Sequence, residues 1–317
     1  MSPITKTDAP ASVLRELWDA TRMRLLVEIG RGGSVSAAAR AVGIGQPSAS
    51  QHVRLLEAAV GQQLVERGGR GSRLTEAGEV LAARAAQALA SLASAEEELA
   101  ALSGLRTGTI HLAASSVPGI YLLPEVLEGF HQEYSGVTVE VRIGSTADVL
   151  ERLLRGEVQL ALVGSPTADR VHLRPFVDDE LVGIARPGLL PVVDGVVAGE
   201  ALGDQLLLCR EPGSASQAVV DDALTRAGVQ PAGRWQLGVS EAIKRAARRG
   251  LGFALLSRFA VADEIARGEL EAFAIDGVPS ITRSLSIATL AGRDPSPAEQ
   301  GFVSTVLQRY ARPAVTA

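Results

Sequence analysis

Hydrogen-bonding side chains gather on one face of a short predicted helix that runs from Gln46 to Val60. Its apolar residues recur at positions 49, 53, 56 and 60, which places them on the other face. A solvated helix face usually carries Glu and Lys, whereas a face that reads DNA base edges carries Ser, Gln, Asn and Arg. The residues expected to contact DNA are therefore Gln46, Pro47, Ser48, Ser50, Gln51 and Arg54.

A second short helix and a tight turn precede this polar face. Ser34 is a good N-cap, and Gly43 can adopt the positive φ that ends such a helix. Gly45 and Pro47 suit the start of the next helix. The pattern predicts a helix-turn-helix, in which Ser34 and Ser36 are candidate DNA-backbone contacts. An ordinary pair of packed helices is the alternative.

The next stretch is rich in glycine and arginine. Strands at Gln63–Glu66 and Ser72–Thr75, joined by a glycine-rich turn, predict a β-hairpin wing. We expect its arginines to meet the DNA backbone or minor groove, with a merely solvated loop as the alternative. The turn lacks the context of a phosphate-binding P-loop. The wing arginines are Arg67, Arg70 and Arg73.

Residues 76–103 predict one long helix. Apolar residues at positions 81, 85, 88, 92, 95, 99 and 102 alternate in steps of four and three, which is a heptad seam. Three of the seven are alanines, so the helices that pair through this seam would approach closely. We therefore predict a winged helix-turn-helix domain over residues 1–75 and a linker and dimerisation helix over residues 76–106.

The distribution of charge and cysteine limits the function. Residues 1–75 hold ten Lys and Arg against six Asp and Glu, a net charge of +4, whereas the whole chain carries −5. A basic N-terminal part on a body of −9 favours contact with nucleic acid through that part alone. One cysteine and four histidines without ligand spacing predict neither metal nor cofactor. Without an apolar span or a signal peptide, we expect a cytoplasmic protein with no membrane contact.

From residue 107 onward, strands alternate with helices, one of them predicted over 118–134. This alternation predicts βαβ units and parallel sheets. Two lobes with crossovers near 165–170 and 264–270 would leave a cleft between them. Lobe I is predicted over 107–166 and 268–317, and lobe II over 167–267.

Small hydroxyl residues follow several of these strands, where a helix begins. Free N–H groups at helix starts together with hydroxyls favour the binding of an anion. The alternative for each serine taken singly is that it is only an N-cap. Glu211 could repel an anion, or orient a cationic or hydroxyl group. The candidate ligand-binding residues are Ser115, Ser116, Gly144, Ser145, Thr146, Gly164, Glu211, Ser214, Ser216 and Ser240.

The N-terminal segments GSVSAAARAVGIGQPSASQHVRLLE (33–57), GQQLVER (61–67) and SRLTEAGE (72–79) resemble LysR-type transcriptional regulators. Gly45 stands where that family usually has Ser, and Val35 and Val65 where it usually has an aromatic residue. The segments IYLLPEVLEGFHQEY (120–134), GEVQLALVG (156–164), REPGSAS (210–216) and SEAIKRAARRGLGFALLSR (240–258) resemble the family's effector-binding domain.

The resemblance implies an α+β multidomain protein. Its winged helix-turn-helix would bind an inverted-repeat operator in double-stranded DNA, and its long linker helix would pair in a dimer or tetramer. Its C-terminal domain, similar to periplasmic binding proteins, would hold a small effector. Contact with the transcription machinery is also implied.

Two other functional classes remain open from the sequence. One is a small-molecule-binding protein of the periplasmic-binding-protein fold that does not regulate specific DNA, or that serves transport. The other is an enzyme on an α/β scaffold, which the sequence disfavours because it has no G-x-S-x-G elbow, Cys/His pair or dinucleotide fingerprint.

Overall fold

The computed structural model describes residues 19–32, 34–68, 71–102, 107–164, 170–211 and 214–310. The chain divides into two compact units. The first holds the N-terminal helices and hairpin, and the second holds nearly all described residues from 107 onward. No helix of the described ranges is long and apolar enough to cross a membrane.

The N-terminal unit contains the predicted helix-turn-helix and hairpin. The strands begin one or two residues away from their predicted limits, and β1 and β2 pair antiparallel. The elements are α1 (Ala20–Gly32), α2 (Val35–Val42), α3 (Gln46–Val60), β1 (Val65–Gly68), β2 (Gly71–Leu74) and α4 (Glu76–Leu102).

Local signals fix the ends of α2 and α3. Ser34 Oγ accepts a hydrogen bond of 3.1 Å from the Ala37 N–H, as an N-cap does. Gly43 and Gly61 end the two helices with φ of 79° and 71°. The apolar stripe predicted for α3 faces inward, where Ala49 and Val53 pack with Leu25 and Ile29 of α1 and with Ala38 and Ala39 of α2.

The C-terminal unit begins with three parallel strands separated by helices, as predicted. β3 pairs with both β4 and β5. A five-residue π-helical segment, Pro118–Leu122, leads directly into α5, so the helix predicted over 118–134 is present but its first turn is π-helical. Pro124 explains part of this change, because it has no N–H for a hydrogen bond within the helix. The elements are β3 (Thr107–Ser115), α5 (Leu123–Glu133), β4 (Gly136–Gly144), α6 (Thr146–Leu154) and β5 (Leu160–Gly164).

A second set of strands and helices completes this unit. β8 and β9 form a separate parallel pair. The elements are β6 (Val171–Ala185), β7 (Val196–Val197), β8 (Leu206–Arg210), α7 (Ala215–Arg226), β9 (Gly233–Gly238), α8 (Ser240–Arg248), β10 (Ala254–Ser257), α9 (Arg258–Ala266), β11 (Glu271–Ile275), β12 (Ile281–Leu290) and α10 (Pro297–Arg309).

Two long antiparallel strands, β6 and β12, join the two lobes. The first half of β6 contributes Phe176 to the core of lobe I, and its second half contributes Leu181 and Ala185 to the core of lobe II. β12 returns the chain to lobe I, where Leu285 and Ile287 are buried beside β5. The passage between lobes therefore occurs within paired strands.

Both crossings lie elsewhere than the predicted positions near 165–170 and 264–270. β11 falls beyond the predicted end of lobe II, yet it pairs with β6 and β7, and its Phe273 and Ile275 are buried in the lobe II core. The physical reason is that a strand can change lobes without a break, so no loop marks the point of passage. The chain enters lobe II along β6 and leaves it along β12, which begins with Ile281 against the lobe II core and continues to Leu285 in the lobe I core.

Candidate nucleic-acid interface and ligand cleft

The polar face of α3 is open to solvent. Gln46, Pro47, Ser48, Gln51 and Arg54 are exposed, and Ser50 is half-buried. None of the polar side chains in this group has a hydrogen-bond partner among the described residues. Hydroxyl, amide and guanidinium groups that make no internal bonds are available to base edges and phosphates.

The side chain of Ser34 has a different surrounding from that of the α3 face. Its oxygen accepts the cap bond of α2, although its own O–H can still donate. Ser36, on the first turn of α2, is half-buried.

The hairpin is anchored at its base by α3 and α4. Glu57 Oε1 accepts from the backbone N–H groups of Leu64 and Val65 at 2.9 and 3.1 Å. Gly78 of α4 approaches the Leu64 carbonyl so closely that a Cβ there would lie 2.1 Å from its oxygen. The wing base is thus fixed to both helices.

The three predicted wing arginines differ in what the structure describes. Arg73 is exposed and paired with Glu66 on the opposite strand. Its charge is therefore partly compensated within the hairpin. The side chain of Arg67 and the whole of Arg70 lie outside the described residues.

Helix α4 changes character along its length. Ala82, Ala85 and Ala86 are buried. Further along the predicted seam, Leu92 and Leu99 are 56% and 67% exposed. This second half thus presents large apolar side chains that no described part of the chain covers.

In the C-terminal unit, the strand ends that carry the predicted hydroxyls surround one cleft of about 260 Å³, the open solvent at its mouth included. Lobe I supplies the ends of β3 and β4, and lobe II supplies the β8–α7 junction. Two arginines that the sequence analysis did not select also contribute. The lining is Ser115, Ser116, Val117, Gly144, Ser145, Thr146, Arg210, Glu211, Ser214, Ala215, Ser216 and Arg283.

Arg210 ends strand β8 and is only 5% exposed. Its Nε and Nη2 donate to the two carboxylate oxygens of Glu211 at 2.9 and 2.8 Å. The guanidinium also donates to the Gly238 carbonyl at 2.7 Å, to Ser240 Oγ at 3.0 Å and to Ser116 Oγ at 3.1 Å. Since Ser116 belongs to lobe I, this side chain links the two lobes.

Arg283 lies on β12 and is paired with the fully buried Asp179 of β6. Its Nε and Nη2 contact Asp179 Oδ2 at 2.9 and 2.8 Å, and Ser257 donates to Oδ1 at 2.6 Å. Burial raises the pKa of the Asp179 carboxyl, and the guanidinium of Arg283 opposes that rise. The remaining nitrogen, Nη1, has no hydrogen-bond partner in the described part of the chain.

Some cleft hydroxyls are already engaged as helix caps. Ser145 donates to Asp148 Oδ2 at 2.7 Å and accepts from the Asp148 N–H at 3.2 Å, so the two residues cap α6 reciprocally. This hydroxyl bond and a backbone bond from Ser145 hold the pKa of the Asp148 carboxyl below its usual value. Ser214 accepts from the Gln217 N–H at the start of α7, and lies 3.0 Å from Ser216 Oγ.

Other cleft donors have no partner. Ser115, which is 7% exposed, and Thr146 make no side-chain hydrogen bond within the described ranges. Ser116 accepts from Arg210, which leaves its own O–H free to donate. Together with Arg283 Nη1, these groups form a set of donors without acceptors in one cleft.

Two predicted ligand residues lie behind the cleft lining. Ser240 is buried and contacts Arg210 Nη1. Gly164 lies beneath Arg283, where a Cβ would stand 2.9 Å from Nη1. Both residues therefore support an arginine of the cleft, and glycine at 164 leaves the guanidinium its space.

A second polar cluster joins the lobes outside this cleft. Tyr121, in the π-helical segment of lobe I, donates to Glu241 Oε1 of α8 at 3.0 Å. Lys244 is 5% exposed and contacts Glu241 and Glu264 at 2.5 and 2.9 Å. Burial, as the largest cause, raises the pKa of Tyr121 to about 12. This phenol therefore remains a hydrogen-bond donor to lobe II throughout the neutral range.

Two family models match the chain. The model described as the LysR substrate binding domain matches residues 103–311, and the model of bacterial regulatory helix-turn-helix proteins of the lysR family matches residues 20–79. The chain belongs to the LysR family. It is a DNA-binding transcriptional regulator with an effector-binding domain, as its curated relatives are.

Several relatives resemble this LysR-family regulator over most of their length. It is 30% identical to the HTH-type transcriptional activator CmpR of Synechocystis over 259 residues, 81% of this chain and 85% of CmpR. It is 31% identical to a probable RuBisCO transcriptional regulator of Nostoc over 300 residues, 92% of this chain and 88% of the relative.

A solved structure resembles the C-terminal part of this LysR-family chain. It is the regulatory domain of Synechocystis CcmR in complex with 2-PG, with a TM-score of 0.60 and 31% identity. The match covers 65% of this chain and 99% of that domain.

Proposed function

We propose that this LysR-family regulator binds an inverted-repeat operator through α3 and the wing, and that a small anionic metabolite in the C-terminal cleft changes this binding. The observation that carries the proposal is the set of unpaired donors at the cleft. Hydroxyls of Ser115, Ser116 and Thr146 and the Nη1 group of Arg283 lack acceptors within the described residues.

An anion suits this set of donors for a physical reason. Buried donors that lack partners cost free energy, and a ligand that offers only acceptor oxygens satisfies several of them at once. Arg283 strengthens the preference because its bonds to anionic oxygen are charge-assisted. The relative solved with 2-PG, which is similar over nearly its whole regulatory domain, supports a small acidic ligand here as well.

The operator proposal rests on the face of α3. Its unpaired Ser, Gln and Arg side chains suit major-groove base edges, while the hydroxyls of Ser34 and Ser36 and the wing suit the phosphates. Recognition of an inverted repeat requires two copies of the domain related by a twofold axis.

We propose that the exposed half of α4 supplies this pairing. The partner is a second copy of the same helix, because Leu92 and Leu99 continue the heptad seam and are both more than half exposed. Leu92→Glu should shift sedimentation toward the monomer, since it would place a charge in an apolar seam. Arg84→Glu is a control on the same helix, because Arg84 is exposed and outside the seam. A wild-type profile for Leu92→Glu would contradict this pairing.

The first test of operator binding is fluorescence anisotropy across a salt series. The DNA would be the region upstream of this protein's own gene, with a scrambled duplex of the same length as control. Binding about 10³-fold tighter than to the scrambled duplex is expected of a specific regulator. Equal, weak binding to both would contradict operator recognition and favour a small-molecule-binding protein without specific DNA regulation.

The second test concerns the ligand. The same assay and calorimetry would be run with 2-PG, inorganic phosphate, and glycerol as a matched neutral compound. We expect the anions to bind and at least one of them to shift DNA affinity, whereas glycerol should do neither. Binding of glycerol but of no anion would contradict the proposed ligand class.

A further inference from the structure

Arg210 and Glu211 form an ion pair whose two members have different surroundings. The guanidinium is 5% exposed, while the carboxylate is 32% exposed and lines the cleft. Both oxygens of Glu211 accept from Arg210, in the parallel geometry that carboxylates and phosphates share with guanidinium. Glu211 therefore occupies the position on Arg210 that a ligand anion would need.

The other partners of Arg210 hold the guanidinium without help from Glu211. They are the Gly238 carbonyl, Ser240 Oγ and Ser116 Oγ, and all three are neutral. Within the described part of the chain, Glu211 is the sole charged partner of this arginine. Removal of its carboxylate would thus leave Arg210 in place but without a counter-ion.

We propose that Glu211 is an exchangeable counter-ion. Without effector its carboxylate neutralises Arg210, and on binding the anionic group of the effector takes its place while Glu211 turns toward solvent. This inference rests on the proposed function, since it assumes an anion in this cleft, and it adds the regulation of that site. No covalent bond forms or breaks.

The exchange has a consequence for selectivity. While Glu211 holds Arg210, the paired charges of the cleft cancel, because Arg283 is likewise matched by Asp179. An anion that cannot displace Glu211 is repelled by the negative charge of its carboxylate. An anion that displaces Glu211 is attracted by the guanidinium of Arg210, which then has no counter-ion. Glu211 should therefore weaken the binding of all anions and exclude those that form no bidentate contact.

Calorimetry on the full-length protein with 2-PG and with inorganic phosphate tests the exchange. Glu211→Gln keeps the side-chain shape but removes the charge, so we expect affinity for both anions to rise about tenfold or more. The matched control is Glu125→Gln, since Glu125 forms an exposed two-contact pair with Arg309 outside the cleft lining. It should leave the affinity unchanged.

A cycle with Arg210→Gln separates exchange from general repulsion. In that background, Glu211→Gln should increase anion affinity little or not at all, because there is no guanidinium that the loss of Glu211 could free for a ligand. If Arg210→Gln does not fold by circular dichroism, Arg210→Lys takes its place, since it keeps the charge but cannot donate to two oxygens side by side. An equal gain in both backgrounds would overturn the exchange and leave simple repulsion.

The outcomes distinguish the two proposals. If wild type binds an anion and Glu211→Gln binds it equally or more weakly, Glu211 only positions Arg210, and this inference fails while the proposed function stands. If neither protein binds any anion, both proposals fail. An increase in anion affinity from Glu211→Gln that occurs only when Arg210 is present supports the exchange.

Discussion

The polar face of α3 and the cleft of the C-terminal unit present their polar groups in opposite ways. On α3, Gln51 and Arg54 are exposed and make no internal hydrogen bonds among the described residues. In the cleft, Arg210 and Arg283 are more than nine-tenths buried, and each already has a carboxylate partner. The DNA-binding unit holds its groups free in water, whereas the cleft keeps its charges balanced before a ligand arrives.

This difference follows from the cost of desolvation. An exposed arginine is hydrated and needs no counter-ion, so leaving it unpaired in the absence of DNA costs little free energy. A buried guanidinium without a partner costs several kcal/mol in free energy of unfolding, so the fold must supply a carboxylate. An anion in the cleft can therefore bind in two ways. It can accept from donors that have no acceptor among the described residues, or it can replace a carboxylate that is paired with an arginine.

The largest effect should come from breaking the buried pair. Asp179→Asn would leave Arg283 without its counter-ion and should lower the free energy of unfolding by about 3–5 kcal/mol. Urea unfolding would measure this loss. The control is Glu180→Gln in the neighbouring residue, whose pair with Arg258 is partly exposed and should contribute at most about 1 kcal/mol. Equal, small losses would mean that burial keeps Asp179 protonated, and the cleft would then carry a net positive charge.

The next effect concerns the unpaired donors. Ser115→Ala removes a hydroxyl that no described residue accepts from, so the fold should lose little stability. Affinity for an anion should nevertheless fall by about 1.5–3 kcal/mol, the range for a hydrogen bond to a charged group. Calorimetry with 2-PG would measure the change. Ser304→Ala is a control, since Ser304 is exposed on α10 and donates to the Gln300 carbonyl of its own helix. Unchanged affinity for Ser115→Ala would remove Ser115 from the site.

The sequence predicted the exposed region more completely than the cleft. Ser34 and Gly43 act on their own helix ends, and the apolar stripe of α3 is periodic, so local rules were sufficient there. The hydroxyls at strand ends were also predictable, because parallel strands end on one edge of a sheet. Arg283 was not, since its partner Asp179 is 104 residues away in sequence and becomes its neighbour only through the pairing of β6 with β12.

Arg210 shows a second limit of sequence reasoning. It ends the buried strand β8 and directly precedes Glu211, so its place in the sequence indicates a strand end and no more. Nothing in the spacing indicates that the side chain reaches Ser116 in the other lobe, 94 residues earlier. The lobe crossings were displaced for a related reason, since β6 passes from one core to the other without a loop.

Substitutions on the polar face of α3 should change the discrimination between operator and scrambled DNA rather than the stability of the fold. Gln51→Ala or Arg54→Ala should reduce the preference for operator over scrambled DNA by about 1–3 kcal/mol if each side chain makes a bidentate base contact. Anisotropy at one fixed salt concentration would measure both affinities. Arg226→Ala, an exposed arginine of the C-terminal unit, should leave the ratio unchanged. A uniform loss on both duplexes would assign phosphate contacts to these residues instead.

The smallest effect should come from a cleft hydroxyl that is already engaged. Ser145→Ala removes the N-cap of α6 and should lower the free energy of unfolding by about 1 kcal/mol at pH 7. It should also raise the pKa of Asp148, because the Ser145 hydroxyl now holds that pKa down. The stabilisation from a lowered carboxyl pKa is present above the unfolded pKa and is lost as pH falls through the folded one. The difference in free energy of unfolding between the variant and wild type should therefore become smaller in strongly acidic solution, where only the cap bond from the Asp148 N–H remains.

Anion affinity separates this serine from Ser115. Because the Ser145 O–H already donates to Asp148, Ser145→Ala should weaken anion binding less than Ser115→Ala does. Carbon-detected NMR titration of Asp148 and calorimetry with 2-PG would test the two effects independently. If the two serine variants lose equal affinity for the anion, the Ser145 hydroxyl must leave Asp148 and donate to the ligand instead. The exchange that we propose for Glu211 would then extend to Asp148, the carboxylate partner of a cleft serine.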